Sequence, residues 1–228
     1  MPILRALLQR GAVPALSADL PAPVVVAAFD FDGTLTRRDT LLPFLYQGLG
    51  CVRFGWLMVQ CSPWLMGFAL RLLPNHAAKR RLLHLALAGR PVLEVGGWTT
   101  GLLATLPSRL RPDALAQLTA HQRAGHRCIM VSASPDIYLQ RVAQHLGFDA
   151  LICTEMAMER GVLTGRLRTP NCHGEQKVVR LTQWLAGQGL LRDCITLHAY
   201  GDTSGDKPML RLADHAWYCG KPWPRRWA

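Results

Sequence analysis

Short apolar runs punctuate the chain, and stretches with helical spacing fill the gaps between them. Val24-Val25-Val26-Ala27-Ala28-Phe29 is a continuous apolar run, the pattern of a strand covered on both faces. Three more runs read the same way: 128–131, 150–153 and 195–200, with a fifth candidate at 215–219. Helices are expected over roughly 112–124, 135–146, 175–186 and 207–212. Strand–helix alternation predicts an α/β fold with a doubly wound parallel sheet. Two short apolar stretches flank Glu159-Arg160-Gly161 and predict a β-hairpin over 156–167.

Between the first and second strands lies a long insertion, 39–110, helical in character and broken at Pro63, Pro74 and Pro91. It is expected to form a helical cap over the site. Residues 54–70 carry no charge; Arg53 and Arg71 bracket 17 positions (71 − 53 − 1 = 17), the lower limit for a membrane span. Gly55, Pro63 and Gly67 interrupt the stretch. The expectation is two short buried cap helices, with peripheral membrane contact through 54–70 as the alternative. The division is then a lead-in over 1–23, a catalytic core of 24–38 and 111–228, and a cap of 39–110. Pro21-Ala22-Pro23 closes the lead-in, because proline stops a helix and extends the residue before it.

At 228 residues, half of them hydrophobic, the chain buries a sizeable core in one domain with an insertion. The net charge of +11 fits a basic surface with no specific partner, an anionic substrate or an anionic membrane face. Nucleic acid is not expected: the arginines are dispersed, and the aromatics near them are mainly Trp223 and Trp227. Seven scattered cysteines without Cys-x-x-Cys argue against a disulfide framework or a structural zinc site. A reducing, cytoplasmic location is expected, peripheral on the inner membrane face if 54–70 touches lipid. The apolar run of Met1–Leu20 is too short for a secretory leader.

The chemistry collects where strands end. Asp30-x-Asp32-Gly33-Thr34 follows the first run. A carboxylate there can attack phosphorus, and a second can protonate the leaving alkoxide and then activate water. Val131-Ser132-Ala133-Ser134-Pro135 ends the second strand and offers a hydroxyl and a helix N-terminus to a phosphate oxygen. Lys177, near the start of a helix, supplies a compact countercharge. Gly201-Asp202-Thr203-Ser204-Gly205-Asp206 ends the fourth strand and offers hard oxygen ligands for Mg²⁺. Taken together they suit phosphoryl transfer. No Gly-x-x-x-x-Gly-Lys-Ser/Thr is present, which weighs against nucleotide hydrolysis.

With these four motifs in order, the chain resembles the haloacid dehalogenase superfamily, in the branch of phosphoserine phosphatases and phosphatidylglycerophosphatase C-like proteins. The resemblance covers 24–217. It implies Asp30 as nucleophile and Asp32 as general acid/base, with Thr34, Ser132, Ala133 and Lys177 holding the phosphoryl group. It implies Mg²⁺ on Asp30, the Asp32 carbonyl and Asp202, with Asp206 in support. Asp39, nine residues after the nucleophile, stands where phosphoserine phosphatases carry an acid for the substrate's amine, and Arg80 lies in the basic cap stretch Lys79-Arg80-Arg81. Asp39 as a plain helix cap is the competing reading. The resemblance implies a phosphomonoesterase acting on a small ester such as phosphoserine or an amino-alcohol phosphate. A lipid phosphate at a membrane surface, phosphotransfer to an alcohol and a non-catalytic regulatory relative are the alternatives. No oligomeric state follows from the sequence.

Overall fold

The computed structural model describes residues 24–70 and 75–224. A six-stranded sheet runs in the order β3-β2-β1-β6-β7-β8, with β1 (Val24–Phe29) at its centre between β2 (Arg127–Pro135) and β6 (Ile195–Gly201). β3 (Ala150–Thr154) and β7 (His215–Tyr218) extend it in parallel, and β8 (Lys221–Pro222) closes one edge antiparallel. The expected mostly parallel sheet is therefore the observed one.

Alternation along β1 divides the core. Ala27, Phe29 and Phe31 pack on one face with Leu118 of α4 (Pro112–Arg123) and Tyr138 and Leu139 of α5 (Asp136–His145). Val26 and Ala28 pack on the other with Leu181 and Leu185 of α6 (Glu175–Gly187) and Met209 of α7 (Lys207–Leu212). By the same two-residue period Asp30 falls on the α6 side. The sequence pattern thus aims Asp30 at the helix that carries Lys177.

α1 (Leu41–Ala69), α2 (Asn75–Leu87) and α3 (Val92–Arg109) fill the insertion between β1 and α4. The chain's exit from the sheet layer and its return are paired: Thr36 bridges Leu110, Arg37 N–H donates to Arg109 O, and Arg111 N–H donates to Leu35 O. The hairpin β4–β5 (Met156–Glu159, Val162–Leu167) leans on the insertion, with Val162 bridging Pro91 and Gly89 N–H donating to Leu163 O.

Two expectations about the cap are corrected. Pro63 does not break the helix; the break within α1 is Gly50, at φ 73° and ψ 168°, a left-handed conformation that glycine adopts without a side-chain clash. Pro63 has no N–H for the Val59 carbonyl, and the Ser62 hydroxyl donates to that carbonyl at 2.7 Å instead. Residues 54–69 are thus one helical run whose outer face is exposed, rather than two short buried helices. Pro74, the lead-in and Trp227 lie outside the described residues. Among those described, no helix is long and apolar enough to cross a membrane.

Candidate active site

Asp30 sits at the carboxyl end of β1, where its backbone N–H closes the ladder to Tyr200 O at 2.9 Å. Parallel sheets open their ligand crevice at this edge. The first turn of α6 brings Lys177 in from the opposite side. Gly174, at φ 63°, turns the chain into that helix, and its N–H donates to Gly205 O. The Lys177 ammonium donates to Asp30 Oδ1 at 2.6 Å, Asp206 Oδ1 at 2.6 Å and Val131 O at 2.8 Å. All three of its protons have an acceptor, and the side chain is buried.

Asp206 is fully engaged by the protein. Its second oxygen accepts from the Thr203 N–H and hydroxyl and from the Asp202 N–H. Asp206 therefore fixes the turn after β6 and orients Lys177. Gly201 makes room for it, since a Cβ there would stand 2.4 Å from Asp206 Cβ. Asp202 is held by the Thr34 hydroxyl, which donates to its Oδ1 at 3.0 Å. Gly33 fits beneath it: at φ +88°, a Cβ on Gly33 would lie 2.2 Å from Asp202 Oδ2.

The electrostatics follow from burial. Ligand oxygens of Asp30, Asp202 and Asp206 lie within 4.8 Å of one another, and one ammonium serves them. Burial pushes the Asp30 carboxyl up to about 7, against the pull of Lys177. Burial also raises Asp202, with the Thr34 hydrogen bond opposing it. Burial works against the charge on Asp206 too, yet Lys177 and Thr203 hold its carboxyl below the ordinary range. Burial alone would discharge Lys177, but Asp30 and Asp206 hold it above the usual lysine range. Three carboxylates facing one ammonium leave negative charge that low-dielectric surroundings penalise. Close-set hard oxygens with surplus negative charge match the donor set of a divalent cation such as Mg²⁺.

Asp32 points to the other side of the strand end. Its Oδ1 accepts from the Thr40 N–H and hydroxyl, both at 2.7 Å, and its Oδ2 from the Ser134 hydroxyl at 2.5 Å. Thr40 lies within hydrogen-bond distance of the Tyr138 hydroxyl, 3.1 Å away. Burial and the nearby Asp39 push Asp32 up to about 6, against these donors.

The remaining expected residues divide. Ser132 is buried and accepts from Ser134 N–H at 3.1 Å; Ala133 O accepts from Thr154. Asp39 is exposed, and its carboxylate accepts from Leu41 N–H at 2.8 Å, as a cap to α1. Arg80 is exposed and lines a shallow groove with His84 and Leu167. Lys79, its neighbour, reaches the site instead. Its ammonium donates to Ala133 O at 2.8 Å, and it faces the charges of Asp32, Asp39 and Asp30. Burial lowers its basicity and those three acids restore part of it. Adjacent helix positions are about 100° apart, so one of the pair turns inward. The basic stretch was the signal; the helix phase, unreadable through the proline-broken segment before it, was not.

A family model described as haloacid dehalogenase-like hydrolase matches residues 27–211. Protein CicA of Caulobacter vibrioides is 34% identical over 87% of this chain and 88% of its own length. The phosphoserine phosphatase SerB1 of Mycobacterium tuberculosis is 27% identical over 87% of this chain and 70% of its own. A protein of unknown function from Bordetella pertussis Tohama I superposes with a TM-score of 0.74 at 25% identity, covering 85% of this chain and 89% of that one.

Proposed function

The chain belongs to the haloacid dehalogenase-like hydrolase family and is a phosphatase, and from that premise we propose that it hydrolyses a small phosphate monoester through a phosphorylated Asp30. Lys177 fixes Asp30 Oδ1, which leaves Oδ2 to attack phosphorus while the P–O bond to the leaving group breaks. In this reading Asp32 hands a proton to the departing alkoxide. Its carboxyl, raised to about 6, is protonated far more at neutral pH than an ordinary aspartate. In the second half Asp32 takes a proton from water, the water attacks the acyl phosphate, and phosphate leaves with Asp30 regenerated. Ser132, the Ala133 backbone, Thr34 and Lys177 border the phosphoryl position. Asp30, the Asp32 carbonyl and Asp202 would hold Mg²⁺, with Asp206 in support. That ion supplies neutralisation of the phosphoryl oxygens.

The observation that carries the reading is the pair of inequivalent acids. Asp30 is ion-paired to a fully used ammonium, and Asp32 is held by hydroxyls and an N–H on the opposite side. Phosphoserine or a related amino-alcohol phosphate is the proposed substrate class, supported by the name of one relative and by Asp39 at the rim beside Asp32. A lipid phosphate is the second reading, favoured by the exposed apolar face of α1.

The test is phosphate release, with and without Mg²⁺, from phosphoserine, other small esters and micellar lipid phosphates. We expect release from one class with Mg²⁺, abolished by EDTA, and a loss of about 10⁴-fold or more in Asp30→Asn. Asp32→Asn should lose about 10²–10⁴-fold. Near-normal turnover in folded Asp30→Asn removes the nucleophile assignment.

A further inference from the structure

α1 carries apolar residues on both its inner and its outer side, with Arg53, Gln60 and Ser62 at the flanks, and the cap covers only part of it. Leu57 and Cys61 are buried, and Phe54 and Met58 pack against the same core cluster. On the opposite side stand Val52, Trp56, Val59, Pro63, Met66 and Leu70. Their spacing of four, three, four, three and four residues keeps them on one stripe of a 3.6-residue helix. All six are exposed, and the five large hydrophobics among them are 60–81% exposed. A helix that is apolar all round belongs to a buried setting. Here the centre of the face turned to water is apolar, and the exposed polar residues Arg53, Gln60 and Ser62 only flank it. Contiguous apolar exposure of this kind marks a docking surface.

The charge around the stripe has one sign. From Thr40 to Leu93 the sequence contains no Asp or Glu, while Arg53, Arg71, Lys79, Arg80, Arg81 and Arg90 are basic. Arg53 and Arg90 line a shallow groove with Val52 and Trp56 at the stripe's edge. Only the Val52 and Trp56 end of the stripe borders that groove; Val59, Met66 and Leu70 face outward at 60–63% exposure, which suits a soft apolar medium better than a shaped counterpart. About 18 residues of helix give a stripe of about 27 Å, and no described helix can span a bilayer. Those features together describe a helix lying in the interface plane, with cations at the headgroups.

We propose that the exposed stripe of α1 docks this protein on an anionic lipid bilayer. The proposal does not rest on the phosphatase reading, because binding is measured without substrate.

The experiment is cosedimentation of the full chain with sucrose-loaded vesicles. One set is phosphatidylcholine alone; the other contains about 30% phosphatidylglycerol, enough for a negative surface potential. Wild type is compared with the triple variant Trp56→Ser, Val59→Ser, Met66→Ser. All three positions are exposed and outside the site, so phosphate release from a soluble ester serves as the folding control. We expect wild type to sediment with the anionic vesicles only, and the triple variant's partition coefficient to fall about tenfold or more. Wild type left in the supernatant overturns the proposal, as does a triple variant that sediments like wild type. A wild-type dimer that the variant turns into a monomer without vesicles also overturns it, and assigns the stripe to a second copy of the chain.

Discussion

Lys177 is committed to three acceptors, so it cannot absorb further charge when the site changes state. Asp30, raised to about 7 by burial, sits in a cluster that a proton or a divalent cation can neutralise. Both compete for the same carboxylate, so acid must weaken cation binding. Between pH 8 and pH 6 the ionised fraction of a group titrating near 7 falls about tenfold. Mg²⁺ affinity from calorimetry should fall by about that factor over this interval, and an affinity flat in pH would exclude Asp30 as a ligand. Gly33 makes a second prediction at this scale. A methyl there meets Asp202 at 2.2 Å and forces a side chain into φ +88°. Gly33→Ala should lower stability by about 1–3 kcal/mol and raise the Mg²⁺ concentration needed for half-maximal activity. A variant with unchanged Mg²⁺ dependence would show that this loop does not shape the ligand set.

At the scale of elements, α1 shows how side-chain chemistry overrules a breaker. Proline inside a helix costs roughly 3 kcal/mol through the lost hydrogen bond and ring clash. The Ser62 hydroxyl recovers the acceptor at Val59 O, and the glycine at 50 absorbs the bend nine residues after the helix begins. Replacing Pro63 by alanine restores the backbone donor at an exposed position. Urea denaturation should show a gain of about 1–3 kcal/mol; a loss would mean that the ring packs against something that matters. β1 shows the opposite case, where local pattern suffices. The phase that puts Val26 and Ala28 under α6 also turns Asp30 toward Lys177, so a two-residue period fixed half of the site. α2 gave no such guide: Lys79 and Arg80 look equivalent in sequence, and only packing of Leu82, Leu83 and Leu87 chose which of them faces Ala133.

Across the whole molecule, α4, the turn before β2, β6 and β7 bring four histidines together on the face of the sheet away from α6. His121 Nε2 lies 2.9 Å from the Tyr200 hydroxyl and its Nδ1 lies 2.7 Å from His126 Nδ1. His198 stacks on Trp217 and neighbours His121, His126 and His215. Burial, then His198 and His126, push His121 down to about 4. Burial, then His215 and His126, do the same to His198, with Asp214 opposing. Unfolded, both titrate near 6.5. The unfolded chain therefore binds more protons between about pH 6.5 and 4, and this contribution to stability is lost as pH falls through that window. Asp30 and Asp32, raised when folded, act in the opposite sense over part of the same range. His198→Phe separates the two: its melting temperature should drop less than that of wild type between pH 7 and pH 5. An equal drop would remove His198 from the acid response.

The sequence by itself determined the sheet, the ends of its strands and the carboxylates waiting there. Burial on both faces leaves its mark in continuous apolar runs, and a strand can present a polar pair such as Asp30 and Asp32 only where that run stops. Asp202 and Asp206 were legible for the same reason. Tertiary structure decided what depends on helix phase and on contacts distant along the chain. It set Lys79 inward and Arg80 outward, closed Thr40 and Ser134 around Asp32, and gathered four histidines from three elements and a turn. It also left one side of α1 uncovered. A pattern of apolar residues states that a helix avoids water, but the partner that completes its burial is set by what the rest of the fold places beside it.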